Sequence, residues 1–283
     1  MSISRGTLYV VATPLGNLED LSARAVRVLS EADIIACEDT RHSRKMLQKF
    51  AVRTPCVAMH EHNEREILPE LIERLKGGQA LAVISDAGTP LVSDPGYRLV
   101  SAAHEAGCRV VPVPGPSAAI GALSVAGLPT DHFVFEGFLP SKQAARRSRL
   151  EVLRAESRTL IFYESPHRIA ATLNDMAEIF GEQRMAAFVR EMTKIYETVR
   201  RDTLGQLGHW VAEDPEQRMG EIVVVVEGTR SEPGATDGDA QLRRTLHVLL
   251  AHLPLKEAVA LAVELTQERK NKVYGLAVSM IDR

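Results

Sequence analysis

Short apolar runs and longer amphipathic stretches alternate along the first 115 residues. Runs at 8–12, 34–37, 56–59, 81–85 and 109–112 have strand length. Between them, polar and apolar residues recur with helical spacing at 22–30, 40–49, 64–76 and 97–106. Ala80-Leu81-Ala82-Val83-Ile84 is a buried-strand pattern. Strand–helix alternation of this kind predicts a mainly parallel sheet with helices on both faces. Gly77-Gly78 and Gly107 follow two of the helical stretches, where a left-handed residue ends a helix.

The pattern restarts after Pro112-Val113-Pro114-Gly115-Pro116, a connector stiffened by three prolines. Ser117 stands where it can cap a helix over 118–125. Strands follow near 133–137, 160–163, 185–190 and 222–226, with helices near 142–154, 168–180 and 204–211; residues 197–202 are a candidate antiparallel strand. Residues 229–239 are rich in Gly, Pro and Asp and read as a flexible linker. The tail, 240–283, reads as helical, because Val273, Leu276, Ala277 and Met280 form one apolar stripe. The predicted organisation is an amino-terminal α/β domain (1–115), a second α/β domain (116–228), the linker and the helical tail.

Composition narrows the partners. The 283 residues are 45% hydrophobic and 25% charged, as in ordinary globular proteins, and the length suits two domains. A net charge of −3 carries no global basic signature. Cys37, Cys56 and Cys108 form no CxxC pair and leave an odd count, which favours a reducing cytoplasm over a disulfide or zinc framework. Residues 1–6 lead straight into the first strand, so no signal peptide is expected. No apolar run reaches the ~18 residues of a membrane span.

The richest candidate site is the loop Ser85-Asp86-Ala87-Gly88-Thr89-Pro90-Leu91-Val92-Ser93-Asp94-Pro95-Gly96. It leaves the carboxyl end of a buried strand, where open α/β sheets bind ligands. It holds two aspartates and no basic residue, so it suits hydroxyls or a cationic group better than a phosphate. Thr13-Pro14-Leu15-Gly16-Asn17 is either an ordinary turn or a second ligand-facing loop; it is not the GxGxxG dinucleotide fingerprint. In Glu38-Asp39-Thr40-Arg41-His42, Asp39 is either a general base or the cap of the next helix. His60-Glu61-His62 resembles a metal pair but lacks a clear third ligand, so no metal is expected. Residues 163–168 and 190–194 leave two further strands in polar loops, which points to a cleft between the domains.

Two basic clusters stand out. Residues 142–158 carry six Lys or Arg against two Glu, and helical spacing puts Arg146, Arg147 and Arg149 on an exposed arc. Arg269-Lys270-Asn271-Lys272 lies at a predicted helix start, where cations oppose the helix dipole. Either cluster is a solvated face or a phosphate-binding surface.

Taken in order, the stretches 12–18, 37–41, 85–96, Pro114-Gly115-Pro116-Ser117-Ala118, Phe162-Tyr163-Glu164-Ser165-Pro166-His167-Arg168, 190–194, Gly220-Glu221-Ile222 and 269–274 resemble the tetrapyrrole methylase superfamily, and more closely its ribosomal-RNA branch. The resemblance implies two α/β domains of tetrapyrrole-methylase type with a cofactor cleft between them, plus a small C-terminal helical module. It implies S-adenosylmethionine-dependent 2′-O-methylation of a cytidine ribose in small-subunit (16S) rRNA, on free rRNA or the assembled 30S particle, by a homodimer. Implied cofactor contacts are Pro14, Asp86, Ala87, Gly88, Thr89, Pro90, Leu91, Val92, Ser117, Ala118, Tyr163, Pro166, Met192 and Glu221. Candidates for base or hydroxyl orienter are Asp39, Glu38 and Glu191, with Lys194 beside them. Arg41, Lys194 and Arg168 are placed at flanking phosphates, and Arg146, Arg147, Arg149, Arg269, Lys270 and Lys272 on the wider RNA surface. A tetrapyrrole C-methyltransferase and a non-catalytic RNA-binding assembly factor are the rival readings. The basic clusters count against the first, and the intact cleft loops against the second.

Overall fold

A computed structural model describes residues 3–229 and 237–281. The chain divides into two compact units, residues 1–154 with 159–227, and residues 155–158 with 228–283.

The first unit holds two five-stranded sheets. The amino-terminal sheet contains β1 (Thr7–Val11), β2 (Ile34–Cys37), β3 (Cys56–Ala58), β4 (Leu81–Ile84) and β5 (Arg109–Val113), in the order β3-β2-β4-β1-β5. All its pairings are parallel, with Leu8 beside Leu81 on one flank and Val110 on the other. Four helices join these strands: α1 (Ala23–Glu31), α2 (Thr40–Lys49), α3 (Glu64–Lys76) and α4 (Tyr97–Glu105). Side chains alternate across each strand, so both faces need cover. Tyr9, Val11 and Ile35 pack with Val28 and Leu29 of α1 and Leu47 of α2. Leu8, Leu81 and Val83 pack on the other face with Leu71 and Leu75 of α3 and Leu99 of α4. Each fully buried Leu or Ile contributes about 1.5–3 kcal/mol relative to exposure.

The second sheet is mixed. It comprises β6 (Phe133–Phe138), β7 (Thr159–Glu164), β8 (Met185–Arg190), β9 (Thr198–Thr203) and β10 (Ile222–Val226), in the order β6-β7-β10-β8-β9. β10 is antiparallel to both neighbours, with Val224 between Phe162 and Phe188. Its sequence, Ile-Val-Val-Val-Val, is buried throughout, as a central strand covered on both faces requires. One face packs on α7 (Ile169–Phe180) and α8 (Leu204–Glu213) through Leu173, Leu204 and Leu207. The other is covered by α5 (Ala118–Val125) through Ala119, Ala122 and Leu123. α6 (Gln143–Leu153) contributes Leu150 and Leu153 to the first of these cores. The antiparallel strand expected at 197–202 is β9. Ser117 sits at the N-cap of α5 but makes no capping hydrogen bond with its side chain, contrary to the sequence expectation.

The second unit contains α9 (Asp237–Leu250), α10 (Leu255–Thr266) and α11 (Lys270–Ile281). Leu242, Leu246, Val259, Ala262, Val273 and Ala277 form its core; of the apolar stripe expected in the tail, Val273 and Ala277 are buried and Leu276 and Met280 pack half-buried against them. Gln267 takes a left-handed conformation (φ 55°) in the three-residue turn between α10 and α11. The linker expected at 229–239 falls mostly outside the described residues, and helix already begins at Asp237. Among the described residues no helix is long and apolar enough to cross a membrane.

Candidate active site

The amino-terminal wall of the site is built where strands end. The Thr13 amide donates to the Gly88 carbonyl at 2.8 Å, and the Gly88 amide returns a bond to Thr13 O at 3.0 Å. Thr13 Oγ1 donates to Ser85 O at 3.1 Å. These bonds tie the loop after β1 to the loop after β4. Gly88 has φ +82°, a conformation that favours glycine, and a Cβ there would stand a tight 3.1 Å from Leu15 Cδ2.

A cavity of about 360 Å³ opens between the two sheets. Thr89, Ser93, Asp94 and Ser117 give part of its lining a polar character, while Leu15, Phe138, Tyr163, Val189, Met192 and Val223 make the rest apolar or aromatic. Tyr163 is held by edge-on contacts to Phe135 and Phe138 at 4.9 and 5.6 Å, and its hydroxyl accepts from the Ala119 amide at 3.2 Å. Thr89 Oγ1 donates to Pro116 O at 2.9 Å, fixing the acidic loop to the proline connector.

Two loops of the site carry non-glycine residues at positive φ: Leu91 and Ser93 (73° and 66°), and Glu191 and Thr193 (50° and 67°). Such conformations cost about 1–3 kcal/mol each and persist only where the surroundings over-determine them. The second loop is held by charge. Glu191 Oε1 accepts from Lys194 Nζ at 3.0 Å and from the Glu221 amide at 2.9 Å, and Lys194 also reaches Glu221 Oε2 at 3.2 Å. Burial works to raise the Glu191 pKa, but the Glu221 amide and the Lys194 ammonium outweigh it and leave it below the usual carboxylate range.

The structure brings Ala87, Gly88, Thr89, Val92, Ser117, Ala118, Tyr163, Pro166, Met192 and Glu221 to the cavity wall. Pro14, Asp86, Pro90 and Leu91 are not on that wall. Pro14 is buried, and Asp86 Oδ1 accepts from the Asp39 amide at 3.3 Å. Sequence reading missed Leu15, Ser93, Asp94, Phe138, Val189 and Gly220. Ser93 and Asp94 belong to the loop already singled out; Phe138 leaves its strand with no local signal.

Asp39 is the cap of α2. Its Oδ1 accepts from the Arg41 and His42 amides at 2.7 and 3.3 Å, and these bonds lower its pKa. Glu38 is pushed the other way by burial and by the charge of Asp86. Arg41 is exposed at the start of α2.

The exposed arc expected on α6 is only partly there: Arg149 is exposed and Arg147 half-buried, but Arg146 is not on the surface. Arg146 is only 4% exposed, and its guanidinium pairs at 2.6 Å with Asp175, itself fully buried on α7. Arg147 bonds the same carboxylate at 3.0 Å and also pairs with Glu178, while Arg149 pairs with Glu136 at 2.7 Å. Helical spacing gives the direction of a side chain but not its partner; α7 supplies Asp175 and Glu178, and β6 supplies Glu136. Arg168, placed by sequence at a phosphate, instead donates to the Leu139 carbonyl at 2.6 Å and to Glu164 Oε2 at 3.2 Å. By contrast Arg269, Lys270 and Lys272 are exposed at the start of α11, with Lys272 paired to Glu268 at 2.9 Å. The rings of His60 and His62 stand 6.1 Å apart, and no group of three potential metal ligands occurs among the described residues.

Residues 7–208 match the family described as Tetrapyrrole (Corrin/Porphyrin) Methylases. The chain belongs to the tetrapyrrole methylase family. In this methylase, residues 236–280 further match the family described as RsmI C-terminal HTH domain. The methylase is 55% identical to the ribosomal RNA small subunit methyltransferase I of Pseudomonas aeruginosa over 98% of each chain. It is 50% identical to the protein of the same name from Escherichia coli O157:H7, over 97% of this chain and 96% of that one. Among solved structures it shares its fold with the uroporphyrin-III-C-methyltransferase of Thermus thermophilus (TM-score 0.57, 23% identity, 79% of this chain and 94% of that one). Diphthine synthase shares it too (TM-score 0.58, 17% identity, 80% and 91% of the chains).

Proposed function

We propose that this methylase transfers the methyl group of S-adenosylmethionine to small-subunit ribosomal RNA, at the 2′-hydroxyl of a cytidine ribose. The observation that carries the reading is the cavity between the two sheets, whose two kinds of lining match the two kinds of surface on that cofactor. Its volume lies in the range of small-molecule sites. Tyr163, Phe138, Val189, Met192 and Val223 offer an apolar slot for a purine. Thr89 and Ser93 offer hydroxyls to the amino-acid end of that cofactor. Ser117 and Ala118, at the start of α5, offer backbone to a carboxylate.

The bound cofactor supplies an electrophilic methyl group. The protein's task is placement, since holding acceptor oxygen and methyl carbon in line accounts for much of the rate in such displacements. The Glu191–Lys194–Glu221 cluster holds the Met192 loop in shape on one wall, and the Thr13–Gly88 bridge does the same on the other. RNA as acceptor is supported by the names of the nearly full-length relatives and by Arg269 and Lys270 exposed on α11. Whole 30S particles are the proposed substrate form, because the helical unit offers a second surface for a shaped RNA. A cytoplasmic homodimer is the proposed state; the exposure of Ile195 and Tyr196 (94% and 71%) supports a protein contact, and sedimentation tests it.

The test has two parts. Calorimetry should show S-adenosylmethionine binding without added metal. Methylation of 30S subunits and of free 16S rRNA, with nucleoside analysis of the product, should then give 2′-O-methylcytidine. Binding without transfer to RNA, but with transfer to a tetrapyrrole, would overturn the acceptor assignment.

A further inference from the structure

Methyl transfer to a hydroxyl needs somewhere for the proton to go, and the carboxylates named from the sequence are already committed. Asp39 is exposed and spends its Oδ1 on two amides of α2. Glu191 is engaged by Lys194 and the Glu221 amide. Asp86 Oδ1 accepts from the Asp39 amide, and the residue does not line the cavity. Glu38 is not on that wall either.

Asp94 is on it. The residue is half-buried and follows Ser93, whose positive φ fixes the direction in which the chain presents it. Ser85, just past the end of β4, lies near enough to lower its pKa, while the Ser85 hydroxyl donates to the Ala87 and Gly88 carbonyls at 3.3 and 3.5 Å. Tyr163 lines the same cavity, and the Asp94 charge helps to raise its pKa. The further groups whose fields reach Asp94 are Glu38 and Asp86, both acidic.

We propose that Asp94 is the general base of the transfer. Its carboxylate takes the proton of the acceptor hydroxyl while the oxygen bonds to the methyl carbon. The electron pair of the breaking carbon–sulfur bond stays on sulfur, leaving a neutral thioether. The inference rests on the reading above, in which the cavity holds S-adenosylmethionine and the acceptor is a hydroxyl. The electrostatics suit the role. Burial raises the Asp94 pKa, the nearby Ser85 works against it, and Glu38 and Asp86 push it further up, to about 6. A base so placed is largely ionised at neutral pH yet still basic enough to take a proton.

The experiment compares wild type, Asp94→Asn and Asp94→Glu, using full-length protein and 30S subunits. Asp94→Asn should lower kcat by ~10²–10⁴-fold, the usual worth of a proton-transfer group. Its S-adenosylmethionine affinity by calorimetry should match wild type. The acid limb of the wild-type rate profile should fall near pH 6 and vanish in the variant. Asp94→Glu should recover part of the rate. Independently of turnover, carboxyl-carbon NMR of the free protein should show one group titrating near 6 that Asp94→Asn removes. Normal kcat in Asp94→Asn overturns the proposal. So does weakened cofactor binding with normal kcat at saturation, which would make Asp94 a cofactor ligand. Wild type that binds no S-adenosylmethionine would instead defeat the functional reading on which the proposal stands.

Discussion

Two helices of this methylase begin with clustered basic residues, and the fold treats them in opposite ways. On α6, Arg146 is buried against Asp175, and Arg147 and Arg149 pair with acids of neighbouring elements. On α11, Arg269, Lys270 and Lys272 face solvent at the end of the helix that repels cations. The first cluster is an internal clamp that ties α6 to α7. The second is a charge placed at local electrostatic disadvantage, as expected of a surface shaped for an anionic partner. Counting charges along a chain therefore identifies neither; the difference lies in what the fold brings opposite them.

The largest effect should come from breaking the clamp. Asp175→Ala leaves the Arg146 guanidinium buried without its partner, which typically costs about 3–5 kcal/mol. Urea denaturation should show that loss; a loss under ~1 kcal/mol would mean that Arg146 swings out to water and that α6 is a latent basic surface after all. Next in size is the double variant Arg269→Ala, Lys270→Ala. If both residues meet phosphates, the slope of log affinity against log salt should flatten by roughly 0.7 to 0.9 for each one. Thermal stability should not change, and identical slopes would equate the two clusters. Smaller again is Arg149→Ala. Its pair with Glu136 is partly exposed, so ~0.2–1 kcal/mol is expected, with the RNA salt slope untouched. The smallest effect separates an arginine-paired acid from an unpaired one. Asp94 has a folded pKa above its ordinary 3.8, so its stabilising contribution is full below that value and is lost as pH rises through about 6. Asp94→Asn should flatten the stability profile in that window, and an unchanged profile would place the carboxyl in open water.

Local sequence carried most of the fold. α2, α5, β8 and β10 lie where periodicity predicts them, because each is bounded by its own cap, proline or polar loop. The cleft loops were legible too, since small and turn-forming residues at strand ends have few other uses. What escaped was long-range. Asp175 lies 29 residues from Arg146, and only packing makes them partners. Asp39 read equally as base or cap, and the bonds from the Arg41 and His42 amides show the cap. Phe138 and Val189 reach the cavity because their strands lie beside it, a fact of sheet order that no window of sequence contains.

Sheet order also bears on synthesis. Every strand of the amino-terminal sheet lies within residues 7–113, so that sheet can close early as the chain emerges. The second sheet cannot. Its central strand, β10, is the last to be made, and β7 and β8 have no partner between them until Ile222–Val226 arrives. At ordinary elongation rates of about 5–20 residues per second, the nascent chain holds two apolar, unpaired strand edges for seconds or longer. Nascent chains stalled before residue 222 should therefore bind chaperones through the strands of the second sheet, while the amino-terminal sheet already resists protease.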